Sequence, residues 1–171
     1  VLGEIMHPVP TFGVIDSKAL PPQGKIALLG GRRTIRSGVW RRALKDRDLR
    51  QRIAQPLSAH IEAGETDGTT CKTDLERILA PIADAEILVL ACTHYTALRS
   101  AMQTRMPHSK IVDPACYVAE TMSYGSEHDE LRIFTTGSPE TLTRTMHRMF
   151  GTSWNHRVHR CELRTHESTS R

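Results

Sequence analysis

The chain has 171 residues, of which 39% are hydrophobic and 25% charged, with a net charge of +4. That balance suits an ordinary globular protein of about one domain and excludes a fibrous or low-complexity chain. No run approaches the roughly 18 consecutive apolar residues of a membrane span, and the N-terminus lacks the basic-then-apolar pattern of a secretory leader, so a cytoplasmic setting without membrane contact is expected.

The first residue is Val1, not Met, and the chain runs almost at once into an apolar stretch, which reads as a piece of a longer protein. In chain order, the β-rich apolar runs are Thr11 to Ile15, Lys25 to Leu29, Ile87 to Ala91, Lys110 to Val112 and Leu131 to Thr135. Helical patterns lie between several of them. Blocks such as Ile87-Leu88-Val89-Leu90 are continuously apolar, as in strands covered on both faces, so the expected fold is α/β, a mainly parallel sheet with helices on both faces. Thr73 and Glu76 read as a capping box for a helix from Asp74 to Ile82. Ser138, Pro139 and Glu140 supply a cap, a preset first turn and a dipole-favourable charge for a helix reaching Met149, whose Leu142, Met146 and Met149 need a partner surface. Beyond Gly151 the pattern dissolves, and a loosely held basic tail is expected over 151–171.

The four cysteines, Cys71, Cys92, Cys116 and Cys161, are scattered and form no CxxC pair, which argues for free thiols over a disulfide framework or zinc ribbon. Arg32, Arg33, Arg36, Arg41 and Arg42, and Arg157, Arg160 and Arg164 in the tail, have no interleaved aromatics and read as solvated faces with no nucleic-acid partner. Asp46 and Asp48 among Lys45, Arg47 and Arg50 read as a solvated helix end, and 127–130 as an exposed loop. His156, His159, Cys161 and His166 are ligand-type residues, but without a fixed scaffold they read as part of the tail and not as a metal site.

The segment richest in chemistry is Ile87 to Leu98, ILVLACTHYTAL. A buried strand ends at Ala91, Cys92 and Thr93 follow in the turn, and a helix is expected to start near Tyr95. A cysteine there sits at the rim where α/β folds bind ligands, facing the N–H groups and positive end of the next helix, which favour a thiolate and can hold a carboxylate. His94 could exchange a proton with the sulfur or the substrate. An inert, buried cysteine in a strand-to-helix turn is the competing reading.

Cys92-Thr93-His94-Tyr95, with Leu88 to Ala91 before it and Ala97-Leu98 after it, resembles the second active-site motif of the glutamate racemases, a Gly-Cys-Thr-His-Tyr-Pro-Leu-Leu run. His94 points to that branch, since relatives that racemise aspartate tend to carry glutamate there. Other segments are similar in order and spacing: Phe12 to Ile15, GGRRTIRSG at 30–38, Ile61 to Gly64, Val112-Asp113-Pro114 and Thr136 to Glu140. The resemblance covers about residues 8 to 151.

It implies a racemase that uses no pyridoxal phosphate and no metal, in which two cysteines on opposite sides of the glutamate α-carbon act as base and acid. Cys92 would be one of them, His94 and Glu62 would tune it or relay protons, and Thr93 would help hold the substrate carboxylate. Thr34 and Ser37 are further substrate-binding candidates, with helix capping as an equal explanation. The role implied is supply of D-glutamate for bacterial peptidoglycan. Residues 16–115 would form the second of two pseudo-symmetric domains, while 1–15 and 116–150 would belong to or border an incomplete first domain.

Departures from the pattern matter too. The family's Asp-Ser-Gly, Pro-Tyr-Gly and Cys-Asn-Thr segments do not occur, and none of Cys71, Cys116 and Cys161 reads as following a strand in such a motif. Gly31 stands in place of a threonine and Thr96 in place of a proline. The expected partners are therefore glutamate and either a second copy or a first half, without which the chain should not racemise and its bare apolar surface should aggregate or dimerise. A single-cysteine lyase or hydrolase of the same superfamily, and a non-catalytic fragment that binds a partner, stay open beside the racemase.

Overall fold

The computed structural model describes residues 20–121, 131–151 and 156–162. The chain divides into two compact units, 1–123 and 124–171.

In the first unit, β1 (Ile26–Gly30), β2 (Leu49–Ile53), β3 (Ile87–Ala91) and β4 (Lys110–Val112) form one parallel sheet in the order β2-β1-β3-β4. Between β1 and β2 lie the short helices α1 (Arg32–Ser37) and α2 (Val39–Ala43). Helices α3 (Gln55–Ala63) and α4 (Thr69–Leu79) lead to β3, and a 3₁₀ turn (Thr93–Leu98) with α5 (Arg99–Arg105) leads to β4, followed by α6 (Pro114–Thr121).

The strands of the centre are apolar on both faces because both faces are covered. Ile26, Leu28, Ile87, Val89 and Val112 pack with Trp40 and Leu44 of the α2 segment. The alternate residues Ala27, Leu29, Leu88 and Leu90 are buried toward the other face, where Leu57 and Ile61 of α3, Leu75 and Ile78 of α4 and Met102 of α5 are buried as well. Expected strands at 87–91, 110–112 and 131–135 occur as read, and the one at 25–29 is shifted by a residue to 26–30. The run Thr11 to Ile15 and the loop 127–130 lie outside the described residues.

Three expectations are corrected. The helix expected from Asp74 begins at Thr69, with Gly68 as its N-cap, so Thr73 and Glu76 are mid-helix and make no capping box. Its inner face is Cys71, Leu75, Ile78 and Leu79, a spacing that starts earlier than the expected cap. It ends at Leu79, where a 3₁₀ turn (Ala80–Ile82) takes over around Pro81, which has no N–H to give the α-helical ladder. The charged cluster from Lys45 to Arg50, read as a solvated helix end, runs from a turn after α2 into the edge strand β2, whose sequence LRQRI hides its strand character under polar side chains. Arg50 of β2 binds Asp84 at 2.7 Å, and Lys25 stands 3.5 Å from the same carboxylate.

The second unit is a β-α-β element. β5 (Leu131–Thr135) pairs in parallel with β6 (His156–Arg160), with α7 (Pro139–Phe150) between them. Ser138 caps α7 as expected: its Oγ accepts from Thr141 N at 3.1 Å and donates to Glu140 Oε2 at 2.6 Å, a bond that holds the Glu140 carboxyl below the usual carboxylate range. β6 falls inside the expected loose tail and corrects it over 156–160. Its sequence, HRVHR, carries one aliphatic residue, so backbone pairing and not an apolar run defines it. The ring of His159 stacks on Phe134 with centroids 5.5 Å apart, which gives that histidine a packing role.

Candidate active site

Chain order makes β1 a switch point. From β1 the chain passes out to β2 on one side, and it returns to β3 and β4 on the other. In open parallel sheets, the crevice beyond the carboxyl ends of the strands at that point is where ligands bind. Here the last residues of the two diverging strands, Gly30 and Ala91, are register partners. A cavity of about 130 Å³ opens beyond them. Thr34 and Trp40 line it from the helices after β1, Leu90 to Thr93 from the end of β3, and Pro114 and Ala115 from the start of α6 after β4.

Cys92 leaves the buried run Ile87–Leu90 and caps the following 3₁₀ turn with extended backbone, φ −154° and ψ 128°. Its side chain is partly exposed, so the sulfur reaches the cavity instead of a closed apolar interior. The helix expected near Tyr95 is thus a 3₁₀ turn that begins at Thr93 and becomes α-helical only at Arg99. Tyr95 and Leu98, 0% and 2% exposed, explain the tighter winding: residues three apart eclipse each other in a 3₁₀ turn, and both anchors point into the core. Burial pushes the Tyr95 phenol up to about 12, which leaves it protonated near neutral pH.

The residues expected to act together are found together. Cys92 Sγ lies 3.6 Å from His94 Nδ1, and His94 Nε2 lies 3.3 Å from Glu62 Oε1. Thiol, imidazole and carboxylate therefore form a chain that can move a proton away from the sulfur or back to it, with the carboxylate orienting the ring. Glu62 sits in the last turn of α3, which ends in a Schellman motif: Gly64 N–H donates to Ile61 O at 2.9 Å and Glu65 N–H to His60 O at 2.8 Å. Gly64 has φ +72°, a conformation that glycine adopts without strain.

Thr93 and Thr34 line the cavity. Ser37 does not: its hydroxyl donates to Thr34 O at 2.7 Å and accepts from Val39 N at 3.3 Å, which holds the break between α1 and α2. That bonding caps the junction of the two helices.

Several residues escaped the sequence reading. Trp40 forms a wall from the core side, and Gln55 Oε1 accepts the first N–H of α1, from Arg32, at 3.2 Å. Gln55 follows β2, so finding it required finding that strand. Thr96 Oγ1 donates to Asp113 Oδ2, and Ala115 N–H donates to Asp113 Oδ1 at 3.0 Å. Partial desolvation and the neighbouring Asp113 carboxylate push the thiol of the otherwise exposed Cys116 up, and burial does the same for Cys71. Cys161 follows β6, a strand the sequence did not announce, and its N–H donates to Thr135 O at 2.8 Å, but it stands in no Cys-Asn-Thr motif.

Fold and site together define a parallel α/β protein that presents a thiol–imidazole–carboxylate chain at its switch point. The chain matches no protein-family profile. It is similar to the glutamate racemase of Thermus thermophilus, 32% identical over 148 residues, which cover 84% of this chain and 54% of that enzyme. A glutamate racemase isoform from Bacillus anthracis superposes with a TM-score of 0.80 at 23% identity, covering 94% of this chain and 67% of that one. One from Francisella tularensis, solved with D-glutamate, superposes with a TM-score of 0.75 at 16% identity, covering 94% and 67%. These superpositions establish the fold. The chain spans about half the length of the curated relatives it matches, and it fits a part of a glutamate racemase.

Proposed function

We propose that this chain carries one of the two proton-transfer stations of a glutamate racemase. Cys92 is the acid/base on one side of the substrate α-carbon. His94 and Glu62 relay or tune its proton, and Thr93 and Thr34 hold the substrate at the cavity wall. Inversion requires a second thiol on the opposite face of the α-carbon, supplied by a further segment or a second chain that closes over the cavity. The chemistry needs neither pyridoxal phosphate nor metal, because the thiol pair handles the proton at both faces. The cellular task in this reading is the supply of D-glutamate for peptidoglycan in the cytoplasm of a bacterium.

The observation that carries the proposal is the 3.6 Å approach of His94 Nδ1 to Cys92 Sγ, with Glu62 3.3 Å beyond. The likeness to racemases in sequence supports the choice of substrate.

The test is incubation with L-glutamate in heavy water, reading α-deuterium by NMR and configuration by chiral chromatography. Exchange that disappears in Cys92→Ser supports Cys92 as a base. Exchange with inversion means both stations are present, and exchange without inversion means this one works singly. No exchange by the native chain, even with a first half supplied, would remove the racemase reading.

A further inference from the structure

The 3₁₀ turn that carries His94 is held from outside as well as from within. Tyr95 and Leu98 anchor its inner side, while the His94 side chain is 43% accessible and its Glu62 partner 65%, so that ion pair gives the turn little hold. Such turns have poorer hydrogen-bond geometry than an α-helix, so an external tie has leverage on them. That tie is Thr96. Its hydroxyl donates to Asp113, which is 5% exposed and whose second oxygen accepts from Ala115 N–H at 3.0 Å. Pro114 and Ala115 on one side, and Cys92 and Thr93 on the other, line the same cavity. One buried carboxylate thus fastens the two walls together, and a buried acceptor that loses its donor is costly to leave unsatisfied.

We infer that Thr96 is a positioning residue for the Cys92–His94 pair, acting through its hydrogen bond to Asp113. This rests on the proposed role of Cys92 and His94. In the racemase pattern that the segment resembles, this position is proline, which stiffens the backbone by fixing φ. Threonine leaves φ free and regains the stiffness through a side-chain bond to the segment after β4.

The test reads the reactivity of the sulfur and needs no turnover. The labelling rate of Cys92 by iodoacetamide at neutral pH is measured on the full chain, with Cys71, Cys116 and Cys161 resolved as separate peptides by mass spectrometry. His94→Ala should slow Cys92 labelling, because an imidazole against a thiol activates it. Thr96→Val should slow it by about threefold or more, Thr96→Ser should restore it to within about twofold of the native rate, and Thr96→Val should add nothing in the His94→Ala background, as expected for coupled residues. Native labelling in Thr96→Val while His94→Ala is slow would overturn the inference and leave the Cys92–His94 reading standing. An equal loss with and without His94 would overturn it too. No effect of His94→Ala would remove both. Should Thr96→Val fail to fold by circular dichroism, Thr96→Ala makes the same comparison, and unfolding of both would mean that the bond is structural and not positional.

Discussion

His60 Nε2 lies 3.0 Å from Asp74 Oδ2, which ties α3 to α4 two residues before Glu62. Arg77 Nη2 donates to the other oxygen at 2.8 Å, and the two donors, Arg77 first, hold the Asp74 carboxyl below its usual range. A carboxyl that is easier to ionise in the folded chain contributes stability above its unfolded pKa and loses it as pH falls through the folded value. Asp74→Asn should therefore cost about 1–2 kcal/mol near neutral pH, and the gap to the native chain should close as pH falls below about 4. Urea midpoints across that range check it.

Gly64 ends α3 with φ +72°. Gly64→Ala forces a Cβ into the left-handed region and should cost about 1–2 kcal/mol. Because Glu62 lies two residues earlier, the same variant should change the NMR chemical shifts of the His94 ring. A thermal melt with a heteronuclear spectrum reads both effects.

Trp40 is 2% exposed and belongs to the core and the cavity wall at once. Trp40→Ala should destabilise the chain by about 3–5 kcal/mol, as for other large aromatic truncations. Denaturant unfolding followed by circular dichroism measures it.

The cysteines should divide by accessibility. Cys71 is 1% exposed and its thiol is pushed up by burial, whereas Cys92 is partly open and Cys116 exposed. Under native conditions a neutral alkylating reagent should modify Cys92 and Cys116 and leave Cys71 free until denaturant is added. Peptide mass spectrometry before and after denaturation decides it.

Legibility followed chemistry unevenly. Ile87–Ala91 and Lys110–Val112 were readable because strands covered on both faces leave continuous apolar runs. β2 and β6 were not, because an edge strand or a two-stranded unit tolerates arginine and histidine on its open side, and neither LRQRI nor HRVHR looks like a core strand. At the site, Cys92 and His94 are two positions apart in sequence and could be paired by inspection. Glu62 came from the family resemblance, since nothing local announces a contact across 32 positions. The Thr96–Asp113 bond is not legible in sequence: the substitution of a proline is visible, but its buried acceptor lies at another strand end. The start of α4 was misplaced because Thr73 satisfied a local capping pattern while the apolar spacing from Cys71 decided the outcome.

The order β2-β1-β3-β4 has one more consequence. The cavity is lined from just beyond the carboxyl ends of β1, β3 and β4, but also by Leu90 and Ala91 of β3 itself and by Trp40 of the core. Reactivity and framework therefore meet at Trp40, Leu90 and Ala91, while Cys92 and Thr93 stand just beyond the frame. A thiol can become a hydroxyl at position 92 with the frame intact, whereas a smaller ring at Trp40 or a polar group at Leu90 would alter shape and chemistry together.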